Sequence, residues 1–188
     1  MKKLLMTFSL VAALAAAAEM KIGTVNMVQL VRLHPSHETN RNLVKSTDKD
    51  YKAKLDSRQD TLKSIADEGK KAQEDLNNPM LSAAAKAEAQ KKIEDVQQRF
   101  IAAQQDLRSA AQHYQNELAD LESRLLKLET EDIRAKITTF AKDNNYDMIL
   151  DVTTIGYAKD SFDVTDEILK ALGVDPKKRT EKKEDADK

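Results

Sequence analysis

The sequence predicts a mostly helical α+β protein, in which one long antiparallel helical hairpin is mounted on a small β-sheet body. Turn-forming residues are scarce, with 4 Gly and 3 Pro among 188 residues, so a β-sandwich or barrel built from this chain alone is not expected. Charged residues make up 34% and aromatic residues only 4%, which indicates long solvated helices rather than an average globular core. Short segments of strand-like alternation lie near both ends and predict the sheet.

Composition excludes several classes of function. The sequence contains no Cys, which rules out disulfides, thiol chemistry and Cys-based zinc sites. None of the glycines lies in a phosphate-binding loop pattern, so nucleotide-driven chemistry has no support in the sequence. The formal net charge is −1, and basic and acidic residues are interleaved along the chain, which argues against a nucleic-acid partner.

Residues 1–18 are predicted to be a cleaved secretory signal peptide. Lys2 and Lys3 precede an apolar run, and the small residues that follow suit a leader peptidase that cuts near Ala18. The apolar run is shorter than the roughly 20 residues that a membrane-spanning helix needs. We therefore expect an exported protein, located in the periplasm of a bacterium with two membranes.

The first helix of the hairpin is predicted over residues 37–76. Its apolar residues recur three and four positions apart, the pattern of an amphipathic, coiled-coil-like helix. They are Val44, Tyr51, Leu55, Leu62, Ile65, Ala72 and Leu76. Ser36 is placed to cap the helix, and Pro79 ends it because proline disfavours the helical conformation of the preceding residue. Gly69 interrupts the helix and is predicted to be a flex point, the alternative being a tolerated interior glycine.

The second helix is predicted to begin after Ser82 and to continue to Asn144. Its apolar seam repeats with the same spacing and includes Ile93, Val96, Phe100, Leu107, Tyr114, Leu125, Leu128, Ile133 and Phe140. The connection of residues 77–81 is so short that the two helices must run antiparallel. Residues 36–143 thus form the hairpin, with residues 77–81 at its tip.

The β-sheet body is predicted from the two ends of the chain, residues 19–35 and 144–174. Its strands are three short segments with apolar side chains at alternate positions. They are residues 21–27, 146–152 and 155–158. In the second strand one face is predicted to be apolar, with Ile149 on the opposite face. The apolar face consists of Tyr146, Met148, Leu150 and Val152.

A short helix follows at residues 164–172, with Asp163 or Thr165 as its cap and Gly173 at its end. Residues 175–188 are charged and are predicted to be disordered. A body of about fifty residues is too small for one core to support a fold alone, so we expect a closed cyclic oligomer in which the bodies join. The residues expected to form this oligomer body are Ile22, Val25, Tyr146, Met148, Leu150, Val152, Ile155 and Tyr157.

Two blocks on either side of the hairpin carry a resemblance to a known family. The first is KIGTVNMVQLV at residues 21–31, and the second lies within residues 141–172 and contains YDMILDV and DVTDEIL. The matching positions are Ile22, Val25, Tyr146, Asp147, Leu150, Asp151, Tyr157, Asp163, Thr165, Ile168 and Leu169. Placed around a helical hairpin behind a signal peptide, these blocks resemble the Skp/OmpH family of periplasmic chaperones.

The resemblance implies a jellyfish-like homotrimer, in which a β body carries three helical arms around a cavity. It implies that unfolded outer membrane β-barrel proteins are held in this cavity, without ATP, until they are assembled in the outer membrane. No catalytic residue, cofactor or metal is implied, so we do not expect an enzyme. Well-known members have basic arms, whereas this hairpin is neutral, so contact with lipopolysaccharide or a membrane surface is not expected. The resemblance leaves the hairpin residues that contact a client unidentified.

The sequence gives less support to two other classes of function. A structural coiled-coil spacer or envelope tether would show a continuous apolar seam and an anchor, and the interrupted seam makes it the weaker reading. An exported hydrolase would need a nucleophile and a base in one site, and the sequence offers none. Asp147 and Asp151 share one strand face, and we interpret them as structural or trimer contacts rather than as an acid/base pair.

Two pairs of side chains have tempting but weaker functional interpretations. His34 and His37 have no third ligand nearby, so we interpret them as surface histidines rather than as metal ligands. Tyr51 and Tyr114 are predicted to pack in the hairpin seam, the alternative being that either one faces a bound client.

Overall fold

A computed structural model describes residues 20–179. The predicted signal peptide and residues 180–188 of the predicted charged tail lie outside the described residues. Along the chain the elements are β1 (Ile22–Val25), α1 (Met27–Leu33), α2 (His37–Asn77), α3 (Ala83–Asp143), β2 (Met148–Asp151) and α4 (Thr165–Ala171). Two short 3₁₀ turns, Val152–Thr154 and Asp160–Phe162, lie between β2 and α4.

The predicted helical hairpin is confirmed, since α2 and α3 pack along each other and are joined by residues 78–82. With 41 and 61 residues they are about 60 and 90 Å long at 1.5 Å per residue. The Ser82 hydroxyl accepts a hydrogen bond from the Ala85 N–H, as expected of a helix cap. Ser36 makes no such bond, and its own N–H donates instead to His34 Nδ1 at 3.2 Å.

The seam between α2 and α3 contains few fully covered side chains. The buried apolar residues of the hairpin are Ile65, Ala72, Ala89, Val96, Ala110 and Ile133. Between these points the helices are joined by exposed polar and aromatic contacts. The Tyr51 and Tyr114 rings stack with 4.4 Å between their centroids, and Arg58 Nε lies 2.9 Å from Asp106 Oδ2. The tyrosines therefore pack across the seam, as predicted.

The sheet has two parallel strands, with Ile22 opposite Met148 and Val25 opposite Asp151. The predicted third strand at residues 155–158 is wrong, because this segment is irregular and lies between the two 3₁₀ turns. Asp151 ends β2 locally, since its carboxylate accepts the Thr153 N–H at 3.0 Å and its carbonyl accepts the Thr154 hydroxyl at 2.8 Å. On the other side of β1, Thr24 forms an isolated bridge with Asp163.

The first strand is shorter than predicted because a helix begins inside its expected range. The Asn26 side chain accepts the Gln29 N–H at 3.0 Å and caps α1, which the sequence analysis did not identify. Leu30 of α1 is fully buried. Ile149 lies opposite the predicted apolar face of β2 and packs against the core, as Tyr146 of that face also does, whereas Met148 is exposed.

The hydrophobic core of the body collects side chains from both ends of the chain and from the last turns of α3. Its buried members are Val25, Leu30, Ile133, Val164, Ile168, Leu169, Leu172 and Val174. Gly173 follows α4 with a φ of 77°, a left-handed conformation that favours glycine at a helix end. Because Ile133 belongs to this core, α3 runs without interruption from the body into the arm.

Candidate functional site

The free edge of the sheet is the first candidate surface for association between copies. β1 has a partner on each side, since it lies between β2 and the Thr24–Asp163 bridge. Within residues 20–179, β2 pairs with a strand on one side only. Exposed strand edges pair readily with other chains, so this edge is able to accept a strand from a second copy.

The residues predicted to form the oligomer body divide into inward and outward positions. Val25 belongs to the core, and the Tyr146 ring packs 5.6 Å from the Phe140 ring between centroids. Met148 is 44% exposed and Tyr157 is 83% exposed. The others are half-buried, namely Ile22, Leu150, Val152 and Ile155. Only the outward residues are available to a partner in the single chain.

The base of the arm exposes apolar side chains on two flanks of α3. Leu126 is 53% exposed and Leu128 is 62% exposed. Residues two positions apart on a helix are related by a rotation of about 200° about the helix axis, so these leucines lie on different flanks. Leu126 lines a cleft with Val28 of α1, which is 64% exposed. Two separate apolar flanks suit a head-to-tail ring, in which each copy contacts two neighbours through different surfaces.

The two histidines form hydrogen bonds with acidic side chains at the root of the arm and are not simple surface residues. His34 is buried, and its Nε2 lies 3.1 Å from Asp132 Oδ2. His34 Nδ1 accepts the Ser36 N–H, so the neutral ring carries its proton on Nε2 and donates it to Asp132. The interpretation of His34 as a surface histidine was therefore wrong.

Glu129 is a buried carboxylate at the same point of the hairpin. Its side chain is 4% exposed and meets two groups from the first turn of α2, His37 Nδ1 at 3.1 Å and Asn40 Nδ2 at 2.7 Å. A buried carboxylate without partners would be strongly unfavourable. Glu129 thus fixes the beginning of α2 against α3, and the structure gives His37 a structural role.

Gly69 lies inside an unbroken stretch of α2. A Cβ atom at this position would lie 3.0 Å from Val96 Cγ1 on α3. That separation is shorter than a normal carbon–carbon contact, so glycine permits close approach of the two helices here. This packing role is an alternative to the predicted flex point.

The exposed contacts of the arm shift the pKa values of their members, and hydrogen bonding is the largest cause. A hydrogen bond to Glu117, whose carboxylate accepts the Tyr51 hydroxyl at 2.8 Å, raises the pKa of Tyr51. The Arg99 guanidinium beside Glu68, with 2.9 Å between Nη1 and Oε2, lowers the pKa of that carboxyl. Such pairs in water contribute little to stability because solvent screens them.

A polar network closes the body at the end of α4. Asp163 Oδ1 accepts the Thr165 N–H at 2.9 Å, and Asp163 Oδ2 lies 2.6 Å from Arg179 Nη2. Partial burial would raise the pKa of Asp163, but the hydrogen bonds from Thr165 and Arg179 outweigh it and lower that pKa. Asp163 therefore supports the start of α4, although Thr165 is already the first helical residue.

Chemistry at a bound metal receives no support from the described part of the chain. No cluster of three or more histidine or acidic side chains between residues 20 and 179 is arranged to hold a metal ion. No helix within those residues is long and apolar enough to cross a membrane.

A small body that carries a single long helical arm is the class of fold that these residues define. The chain belongs to the OmpH-like family, because the sequence model described as "Outer membrane protein (OmpH-like)" matches residues 21–172. The resemblance inferred from the two end blocks is thereby confirmed. A search of curated proteins gives no significant match. The OmpH-like family is one of periplasmic chaperones of outer membrane proteins and is not a family of enzymes.

Sequence reasoning missed three groups that the structure brings together. They are the exposed leucines Leu126 and Leu128, the buried Glu129, and Arg179 in the segment expected to be disordered. Leu126 lies off the predicted seam, whereas Leu128 was predicted to lie on it and is exposed instead. Glu129 and Arg179 carry no signal in the sequence, because their partners are distant in sequence or lie in another element.

Proposed function

We propose that this protein is an ATP-independent holdase of the periplasm. It binds unfolded outer membrane proteins in the space between the arms of several copies and prevents their aggregation before outer membrane assembly. Export by a signal peptide cleaved near Ala18 belongs to the same proposal. It is supported above all by membership of the OmpH-like family over residues 21–172, combined with a long arm on a small body.

Association of the bodies is supported by the open edge of β2 and by the two apolar flanks of α3. The open edge of β2 and the exposed apolar side chains of Met148, Leu126 and Leu128 are unfavourable in water. They are covered if copies join in a ring. The expectation of three copies in the assembly comes from the family resemblance. We therefore propose a homotrimer whose arms project from one side.

Holding of a client is supported by apolar side chains distributed along the arm. Leu43, Met80 and Ile101 are 46%, 89% and 65% exposed, and they lie far apart on the hairpin. Many weak contacts of this kind retain a client through a high effective concentration rather than through one tight pocket. Since the hairpin charges are balanced, we propose apolar contact as the main attraction and do not propose binding of lipopolysaccharide.

The second candidate is a structural spacer or envelope tether without chaperone activity. It is favoured by the length of α3, which reaches about 90 Å for 61 residues. It is disfavoured by the small number of buried seam residues, because a spacer needs a stiff rod with a continuous core.

The holdase proposal is tested by light scattering on dilution of a urea-denatured porin. The mature chain, in several-fold molar excess and without nucleotide, should suppress the scattering. Unchanged aggregation under these conditions would overturn the holdase and favour the spacer.

The assembly proposal is tested separately by analytical ultracentrifugation. The mature chain should sediment as a trimer, and the double variant Leu126→Asp, Leu128→Asp should shift to smaller species. The matched control is Lys127→Ser, which alters the exposed residue between the leucines and should leave the trimer intact. A monomeric wild-type chain would refute the assembly.

A further inference from the structure

The inner strand of the body has a second edge that the chain closes by itself. β1 pairs with β2 on one side, and on the other side the Val164 N–H donates to the Thr24 carbonyl at 2.8 Å. Thr24 is consequently buried, with 3% of its surface exposed. Without the segment that contains Asp163 and Val164, this edge of β1 would be as open as the edge of β2.

Hydrogen bonds of Asp163 and Thr165 hold that segment in place. Asp163 accepts hydrogen bonds from the N–H and hydroxyl of Thr165, and the Thr165 hydroxyl accepts the Asn26 N–H at 3.0 Å. Thr165 is fully buried. The network therefore joins the end of β1 to the beginning of α4 through groups that water cannot replace.

Arg179 completes the network from outside. Its guanidinium donates to Asp163 at 2.6 Å, to Asp166 at 2.9 Å and to Gln29 of α1 at 2.6 Å. The Arg179 side chain is only 21% exposed. Arg179 also lies beyond residue 172, where the match to the family ends. We refer to Arg179 with these three partners as the C-terminal clamp.

We propose that Arg179 is a positioning residue that fastens the segment around Asp163 onto the second edge of β1 and thereby directs self-association of the body to the free edge of β2. Two open edges would allow copies to pair in more than one way, which leads to mixed assemblies. Charge-assisted hydrogen bonds are the strongest available means of holding an irregular segment against a strand. The directing role rests on the proposed self-association, whereas the fastening role stands on the geometry of the single chain.

The ionisation of the C-terminal clamp is consistent with this role. Burial works against the charge of Arg179, but the hydrogen bonds that Arg179 donates to Asp163 and Asp166 outweigh it and raise the Arg179 pKa. The pKa of Asp163 is lowered in the folded chain. The Asp163 carboxylate therefore contributes stability above the pKa that Asp163 has in the unfolded chain. This contribution is lost as the pH falls through the lower pKa that Asp163 has in the folded chain. Removing Arg179 should move that loss to higher pH.

The test compares Arg179→Ala with Arg179→Lys and with the control Lys178→Ala, an exposed neighbour. Hydrogen exchange is measured at the Val164 amide in the full mature chain. In Arg179→Ala this amide should exchange at least about tenfold faster, because two ion pairs are lost. Arg179→Lys should restore part of the protection, and Lys178→Ala should match wild type. Unchanged exchange at Val164 would overturn the fastening role.

The directing role is read out in the same variants by ultracentrifugation and by an acid titration. Arg179→Ala should convert one sedimenting species into a mixture that includes larger assemblies, and its acid transition should lie at higher pH than that of wild type. Helix content by circular dichroism verifies that the arm is folded. Faster exchange at Val164 with an unchanged single species would overturn the directing role. A monomeric wild-type chain would instead refute the proposed assembly, and the exchange result at Val164 would still decide the fastening role.

Discussion

Replacement of Gly69 by alanine distinguishes a flexible arm position from a packing position. If Gly69 serves as a flex point, alanine should stiffen α2 and stabilise it by about 1 kcal/mol through helix propensity alone. If glycine is needed for close helix packing, the new methyl group must displace Val96, because its Cβ would lie 3.0 Å from Val96 Cγ1. The two interpretations therefore predict opposite signs.

The structure favours the packing interpretation. Val96 is buried, with 5% of its surface exposed, and a valine in a helix has essentially one side-chain rotamer. It therefore cannot swing aside, and the helices must separate locally. Inserting a methyl group into a packed site costs about 1–3 kcal/mol. After subtraction of the propensity gain, Gly69→Ala should destabilise the distal arm by up to about 2 kcal/mol.

The measurement is a urea titration followed by circular dichroism, with hydrogen exchange over residues 60–75 to localise the effect. A double-mutant cycle with Val96→Ala isolates the contact, because the smaller side chain leaves room for the new methyl group. The coupling between the two substitutions should be favourable and about 1–3 kcal/mol. Ser64→Ala, at an exposed position of α2, controls for helix propensity.

A more stable Gly69→Ala variant with slower exchange and no coupling to Val96 would refute the packing argument. Gly69 would then be a flexible or merely tolerated helix residue. A destabilised variant with strong coupling would instead place the flexibility of the arm elsewhere in its seam.

Two further substitutions examine the junction of arm and body. Ile133→Ala removes a fully buried side chain of α3 that belongs to the core, so it should lower the free energy of unfolding by about 2–5 kcal/mol in a urea titration. The control Ile101→Ala, at an exposed position, should change this free energy by less than about 0.5 kcal/mol. Equal effects of the two would contradict the assigned core. Glu129→Ala leaves His37 and Asn40 without their acceptor, so it should lower the free energy of unfolding by about 1–3 kcal/mol and speed amide exchange in the first turns of α2. Glu129→Gln should recover part of the lost stability. Wild-type exchange in Glu129→Ala would show that the carboxylate does not hold the start of α2.

The hairpin could be predicted because its signals are local. Apolar residues repeat at helical spacing, Pro79 stops the first helix and Ser82 starts the second, so α2 ends one residue from the expected position. Each of these features acts over a few residues and needs no knowledge of the rest of the fold.

The body was predicted less accurately because strands depend on partners. Residues 155–158 alternate as a strand would, yet the single chain offers them no neighbour to pair with. Which side chains in and beside β2 meet the core depends on elements that are distant in the sequence, and both Tyr146 and Ile149 pack against it whereas Met148 is exposed. Asn26, which caps α1 and ends β1 early, is a residue type favoured at helix N-termini, so this boundary does have a local signal in the sequence.

The polar contacts could not be predicted because their partners are far apart in the sequence. His37 meets Glu129 across 92 residues, and Arg179 meets Gln29 across 150. Nothing in the neighbourhood of either residue indicates such a partner. His34 shows the same limit, since only the packing of the α1–α2 turn on α3 makes it a buried residue.

The distribution of buried surface indicates that the body resists distortion more strongly than the arm does. The core around Ile133, Ile168 and Leu169 is fully buried, so distortion there would expose apolar area at about 25 cal/mol per Å². Along the middle of the arm the helices meet through an exposed ion pair such as Arg58–Asp106, which can reform with water when it separates. A bound polypeptide can change a conformation only by as much as it favours the new one. Weak apolar contacts with a bound polypeptide should therefore distort the arm more readily than they distort the body.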